Sequence, residues 1–160
     1  MKQAAKELVK LLSQRGMTVT TAESCTGGLI SAAITSVPGS SAVLDGALVS
    51  YASAVKGRFL NVPPETLYDI GVVSAECAEA MAKGAAALFS ADCAISVTGN
   101  AGPSAGDPAA PVGRVYIAAY LLGMVSVREL NLSGDREQVR ECAAKEALTL
   151  LCEKIREIVG

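Results

Sequence analysis

The chain has 160 residues, 51% of them hydrophobic and 19% charged, with a net charge of −2. That balance reads as one compact domain spanning residues 1–160, long enough to bury roughly 70% of the surface its unfolded form would expose. With no tryptophan, two phenylalanines and four tyrosines, it lacks the basic face or stacking aromatics of a nucleic-acid module, so direct nucleic-acid contact is not expected. No apolar run approaches the ~18 residues of a membrane span. The start (Lys2, Lys6, Glu7 and Lys10 among apolar residues) is unlike a signal peptide, so a cytoplasmic protein is expected.

Apolar positions at Ala4, Leu8, Leu11 and Leu12 predict a helix over residues 3–15, stopped by Gly16. A short strand is predicted from Met17 to Thr21, and a helix from about Thr26 to Thr35. Val37-Pro38-Gly39-Ser40-Ser41 is a turn cluster. A strand is then expected from Val43 to Tyr51, a short helix through Lys56 to Leu60, and another opened by Pro63-Pro64-Glu65. Ser74 is placed as the N-cap of a long helix carrying Cys77, Met81, Ala85 and Leu88. Cys93 to Thr98 reads as a buried strand and runs into the longest turn-rich stretch, Gly99 to Pro108. Segments 113–122 and 124–132 on either side of Gly123 predict a hairpin, so one strand runs antiparallel. A last helix starts near Ser133-Gly134-Asp135-Arg136, with Val139, Ala143, Ala147, Leu150 and Ile155 inward. The sum is an α/β fold: a three-layer α/β/α sandwich around a mixed sheet of about five strands, one antiparallel. Ligands of such sheets sit at the carboxyl ends of parallel strands. Residues 22–28, 51–56 and 98–106 leave strands there and are expected to converge.

The absence of histidine excludes a Ser-His-Asp triad, a His-ligated zinc and a His general base. The chemistry then centres on Ala22-Glu23-Ser24-Cys25-Thr26-Gly27-Gly28, a serine at a strand-to-helix turn followed by residues whose backbone N–H groups could face an anion. Two readings of Ser24 stand: a nucleophile, or a helix N-cap satisfying the Thr26 or Gly27 N–H. A nucleophile needs a base, and Lys56, Tyr51 and Glu23 are the titratable groups near strand ends. A lysine neutral at pH 7 lies about 4.6 kcal/mol from its reference state, within reach of burial; otherwise Lys56 is an exposed helix lysine. Tyr51 could relay a proton or position a carbonyl. The five cysteines form no CxxC pair, which argues against structural zinc. Cys25 sits where thiol pKa values fall, making it a competing nucleophile. Gly99 to Gly106 matches no dinucleotide motif and reads as a surface loop or a phosphate cradle. Arg136 and Arg140, at a helix start, suit an anion or are surface charges paired with Asp135 and Glu137.

Taken in order, these pieces together with Pro38-Gly39-Ser40-Ser41, Gly71-Val72-Val73-Ser74, Ala101-Gly102-Pro103, Pro111-Val112-Gly113 and Gly134-Asp135-Arg136 resemble the C-terminal domain of the competence/damage-inducible CinA proteins, which also occurs alone as nicotinamide-mononucleotide deamidase. The resemblance implies a metal-free, cofactor-free amidohydrolase converting nicotinamide mononucleotide to nicotinic acid mononucleotide and ammonia. It implies Ser24 as nucleophile, Lys56 as its base and Tyr51 nearby. The backbone N–H groups around Cys25, Thr26, Gly27 and Gly28 would hold the oxyanion; Thr98, Gly99, Asn100, Ala101 and Gly102, with Arg136 or Arg140, would hold the ribose phosphate. The family usually has Ser-Asn where this chain has Ala52-Ser53, an aliphatic residue at Asn100, acidic residues within 104–110 and threonine at Arg114. A nucleotide-binding domain without turnover and a competence- or damage-related interaction domain are the rival expectations. Self-association into a homo-oligomer is also expected.

Overall fold

In the computed structural model, residues 1–104 and 109–159 are described; residues 105–108 of the turn-rich stretch and Gly160 lie outside the described residues. Five strands form one sheet in the order β2-β1-β3-β4-β5. They are β1 (Val19–Glu23), β2 (Leu48–Val49), β3 (Cys93–Gly99), β4 (Arg114–Leu121) and β5 (Met124–Asn131). β1 pairs parallel with β2 and β3, whereas β4 runs against both its neighbours. The expected mixed sheet with one reversed strand is therefore present.

Helices α1 (Lys2–Arg15), α2 (Leu29–Thr35) and α5 (Arg136–Val159) pack on one another and on one face. Helices α3 (Ser53–Leu60) and α4 (Ala75–Phe89) cover the other. The alternation in β3 sets the layers apart. Cys93, Ile95 and Val97 enter the core under α1, α2 and α5. The smaller Ala94, Ser96 and Thr98 face α4, whose own inward residues include Ala78, Ala82, Ala85 and Ala86. Small against small brings backbones close: Ser96 Oγ donates to the Ala78 carbonyl, and Thr98 Oγ1 to Val72 O at 2.6 Å.

Two expected elements are shorter than the sequence suggested. The strand predicted over residues 43–51 survives as Leu48–Val49 plus a single bridge from Leu44 to Val19. Gly46 interrupts it, with the Phe89 ring packed against its Cα and Thr20 Oγ1 donating to its carbonyl at 2.9 Å. The helix predicted from residue 26 starts at Leu29, because residues 24–28 form the turn that carries the site. The first strand lies two residues later than expected, reaching Glu23. After Pro63-Pro64 the chain makes a π-type turn, Thr66–Ile70. The remaining elements fall where expected. Ser74 Oγ accepts the Cys77 N–H at 3.1 Å. The last helix is opened by a reciprocal cap: Gln138 N–H donates to Asp135 Oδ1 and Asp135 N–H to Gln138 Oε1, both at 2.9 Å. Leu122 and Gly123 both have positive φ, 50° and 95°, the signature of a tight primed turn joining β4 to β5.

Helix α3, which carries Lys56, is positioned by close approach to α4. A Cβ on Gly84 would fall on the carbonyl of Leu60. Gly84→Ala is therefore expected to push α3 off α4 and lower the unfolding free energy by about 1–3 kcal/mol in urea titration. An unchanged midpoint would mean that the two helices are not locked there.

Candidate active site

Ser24 follows directly on β1. Its N–H still donates to Val97 O of β3 at 3.0 Å, so the strand ladder fixes its backbone. Lys56 lies on the second turn of α3, beside Ser24 in space, with only 1% of its surface exposed. Its Nζ is 3.0 Å from Ser24 Oγ, 2.6 Å from Ser50 O and 3.1 Å from Tyr51 O. The exposed-lysine reading is overturned, and so is the N-cap reading of Ser24: the Gly27 N–H donates to the Ser24 carbonyl, not the hydroxyl.

Among the described residues no carboxylate pairs with Lys56; its three polar neighbours there are one hydroxyl and two carbonyls. Burial pushes its pKa below the usual lysine value. Two cysteines nearby add no charge at neutral pH, since burial lifts the Cys25 and Cys77 thiols to about 11. This corrects the expectation that the turn would activate Cys25: desolvation of its buried thiol outweighs the cations around it.

Glu23, a candidate base by sequence, does something else. Its fully buried carboxylate accepts from the N–H groups of Gly28 (3.0 Å), Ile30 (3.0 Å) and Ser31 (2.9 Å), and from Thr21 Oγ1 (3.1 Å). The protein thus supplies its own anion to the start of α2. Gly28 N–H is spent on Glu23, and Gly27 N–H on Ser24 O. The backbone donors beside Ser24 are narrowed to the N–H groups of Cys25 and Thr26, which meet no oxygen acceptor among the described residues. Gly27 and Gly28 keep a conformational role, with φ of 58° and 103° through the turn.

Arg140 also serves the turn. Its Nε donates to Cys25 O at 2.9 Å and its Nη2 to Thr26 O at 3.2 Å. Arg136 is more exposed and spans the mouth, donating to Gly102 O and to the Tyr51 hydroxyl, the latter at 3.1 Å. Tyr51 is 60% exposed, so its ring stands at the rim and its backbone carbonyl, not its hydroxyl, meets Lys56. Of the loop residues, Thr98 is turned inward onto Val72 O and Gly99 lies flush against Val115. Ala101 is buried, and Gly102 faces Arg136. Asn100 braces the loop: its Nδ2 donates to Ser104 O and Ala110 O, and its Oδ1 accepts the Gly102 N–H at 2.9 Å. Arg114, the other departure near this loop, pairs with Glu129 at 3.4 Å.

The structure therefore gathers Ser24, Lys56, Thr26, Tyr51, Gly102 and Arg136 at one end of the sheet, and makes Glu23, Arg140, Thr98 and Asn100 parts of its frame. Sequence reasoning missed Ser50, whose carbonyl is the nearest acceptor to Lys56. Its position in register with Ser24 across two parallel strands was the available signal.

A mixed α/β sandwich with a buried serine–lysine pair at a strand end defines a narrow class, and comparison with known proteins narrows it further. The CinA C-terminal domain family matches residues 1–155, and the chain belongs to that family. A CinA-like protein of Dictyoglomus thermophilum is 48% identical over 144 residues, 90% of this chain but 35% of that protein. One from Geobacter metallireducens is 44% identical over the same shares. The chain thus spans about a third of the length of these curated relatives. Among solved structures, competence damage-inducible protein A of Klebsiella pneumoniae superposes with a TM-score of 0.94 at 36% identity, covering 97% of this chain and 96% of that one. The competence/damage inducible protein CihA of Agrobacterium tumefaciens gives 0.92 at 38%, covering 95% and 93%.

The lowered pKa of Lys56 has a sign that can be measured. Between that value and the ordinary 10.5, the unfolded chain holds a proton that the folded chain has released, so stability rises with pH across this window. The difference in unfolding free energy between wild type and Lys56→Met is expected to grow in favour of wild type as pH approaches 10.5, and to be flat below the window. A difference flat throughout would place Lys56 at its ordinary pKa.

Proposed function

We propose that this domain is a serine–lysine amidohydrolase that releases ammonia from the carboxamide of nicotinamide mononucleotide or a close pyridine nucleotide. The observation that carries the reading is the 3.0 Å contact between Ser24 Oγ and the buried Nζ of Lys56, a lysine with no carboxylate partner among the described residues. Such a lysine favours its neutral form and can accept the serine proton. Its two carbonyl contacts, Ser50 O and Tyr51 O, take its N–H groups and leave the lone pair for Ser24.

In the first half-reaction Ser24 Oγ attacks the carboxamide carbon as its proton passes to Lys56 Nζ. The oxyanion that forms lies against the Cys25 and Thr26 N–H groups. Lys56 then donates its proton to the amide nitrogen, the C–N bond breaks, and ammonia leaves an ester on Ser24. Water attacks that ester, Lys56 takes the water's proton and returns it to Ser24 Oγ, and the carboxylic acid departs. The phosphate falls to Arg136, because Arg140 is committed to two carbonyls of the turn while Arg136 holds only neutral acceptors at the rim.

The experiment is ammonia release from nicotinamide mononucleotide by the purified domain. Ser24→Ala and Lys56→Ala are each expected to reduce kcat by at least about 10³-fold with the fold retained. Folded wild-type protein that releases no ammonia would remove the amidase reading, and nucleotide binding in that protein would identify a binding domain instead. Arg136→Ala is expected to raise KM for the mononucleotide about tenfold or more, with a much smaller effect on the dephosphorylated nucleoside. Equal effects on the two substrates would move the phosphate away from Arg136.

A further inference from the structure

Two hydroxyls among the described residues are buried without a hydrogen-bond partner, those of Thr26 and Ser50, and both residues have no exposed surface. The other buried atoms in that condition, Glu7 Oε1 and Arg114 Nε, belong to charged groups lying against Arg156 and Glu129. Elsewhere in the interior the hydroxyls of Thr20, Thr21, Ser96 and Thr98 all donate to an oxygen. An unmet buried hydroxyl costs about 1–3 kcal/mol. Both that this fold tolerates flank Ser24 and Lys56.

Their placement differs. Thr26 follows Ser24 on the α2 side, where the free N–H groups of the turn lie. Ser50 lies on the side of the base. The register Ala22↔Leu48 and Glu23↔Val49 continues one step to set Ser50 beside Ser24, and Ser50 N–H donates to Glu23 O at 2.8 Å. In-register neighbours on parallel strands send their side chains to the same face. Ser50 Oγ therefore lies on the same face of the sheet as Ser24 Oγ, while the Ser50 carbonyl grips Lys56 Nζ at 2.6 Å.

This placement matters for the second half of an acyl transfer, and the inference rests on the serine–lysine reading above. Once Ser24 Oγ is part of an ester, Lys56 must draw its proton from a water that also faces the acyl carbon. One contact to the amine lone pair leaves that water free to swing; a second contact fixes it. We propose that Ser50 Oγ is the second contact and holds the hydrolytic water for deacylation. The water oxygen bonds to the acyl carbon as its proton passes to Lys56 Nζ. The bond from that carbon to Ser24 Oγ then breaks, and the proton returns from Lys56 to Ser24.

The test uses Ser50→Ala and p-nitrophenyl acetate, an activated ester that reports acylation as a burst of nitrophenol and deacylation as the steady rate. The variant is expected to keep the burst amplitude and the burst rate within about twofold, while steady turnover falls about tenfold, the loss of one hydrogen bond. Acetylated Ser24 should accumulate in the intact mass spectrum, and added hydroxylamine should discharge it. Because an orphan hydroxyl has been removed, the thermal midpoint should stay level or rise, which a structural role for Ser50 would not produce. Steady turnover equal to wild type, or a burst lost together with turnover, would overturn the assignment. If the ester acylates Ser24 while nicotinamide mononucleotide releases no ammonia, the substrate reading fails and Ser50 is judged on the ester alone. If the ester leaves Ser24 unmodified, the nucleophile and the role of Ser50 fall together.

Discussion

Everything at this site follows from one buried amine that has no counter-ion among the described residues. A lysine that is 1% exposed and surrounded by a hydroxyl and two carbonyls is held by geometry, not by a salt bridge. An anion beside it would stabilise the ammonium form. The protein avoids this in two ways. Both neighbouring thiols are kept protonated by their own burial. The carboxylate nearest in sequence, Glu23, is spent on four hydrogen-bond donors.

The Glu23 arrangement also explains why a turn that looks like an anion cradle has so few donors to offer. A helix start with glycines behind a serine suggests an open set of N–H groups. Here the first turn of α2 is already filled from within, and the remaining donors are the two N–H groups directly after Ser24. Arg136 stands apart from them at the rim, bonded to Gly102 O and the Tyr51 hydroxyl.

Much of this was legible in the sequence. The continuous run of small and apolar residues over 93–98, the Ser74 cap and the Gly123 turn are local signals, and each element they predicted is present. The pairing of Ser24 with Lys56 was readable because the lack of histidine left few bases to choose from. Three things were not legible. The break in the strand at residues 43–51 depends on Phe89 reaching Gly46 from a distant helix. The commitment of Arg140 to two carbonyls depends on how α5 crosses α2. The inertness of Cys25 is a matter of burial, which motif spacing does not encode. Asn100 is a milder case: the residue type stands out, but its use as a brace appears only when Gly102, Ser104 and Ala110 are seen around it.

The sheet order carries a consequence for how the site comes into being. Ser24 and Lys56 both lie in the first half of the chain, and β1 and β2 pair early in sequence. Yet the Ser24 N–H is anchored by Val97 of β3, and the turn's carbonyls by Arg140 of α5. A ribosome-bound chain that has emerged only as far as α3 holds both side chains without the parts that aim them. The anchoring of the turn is complete only when the final helix docks, and a truncated or half-made polypeptide carries the amine and the hydroxyl without it.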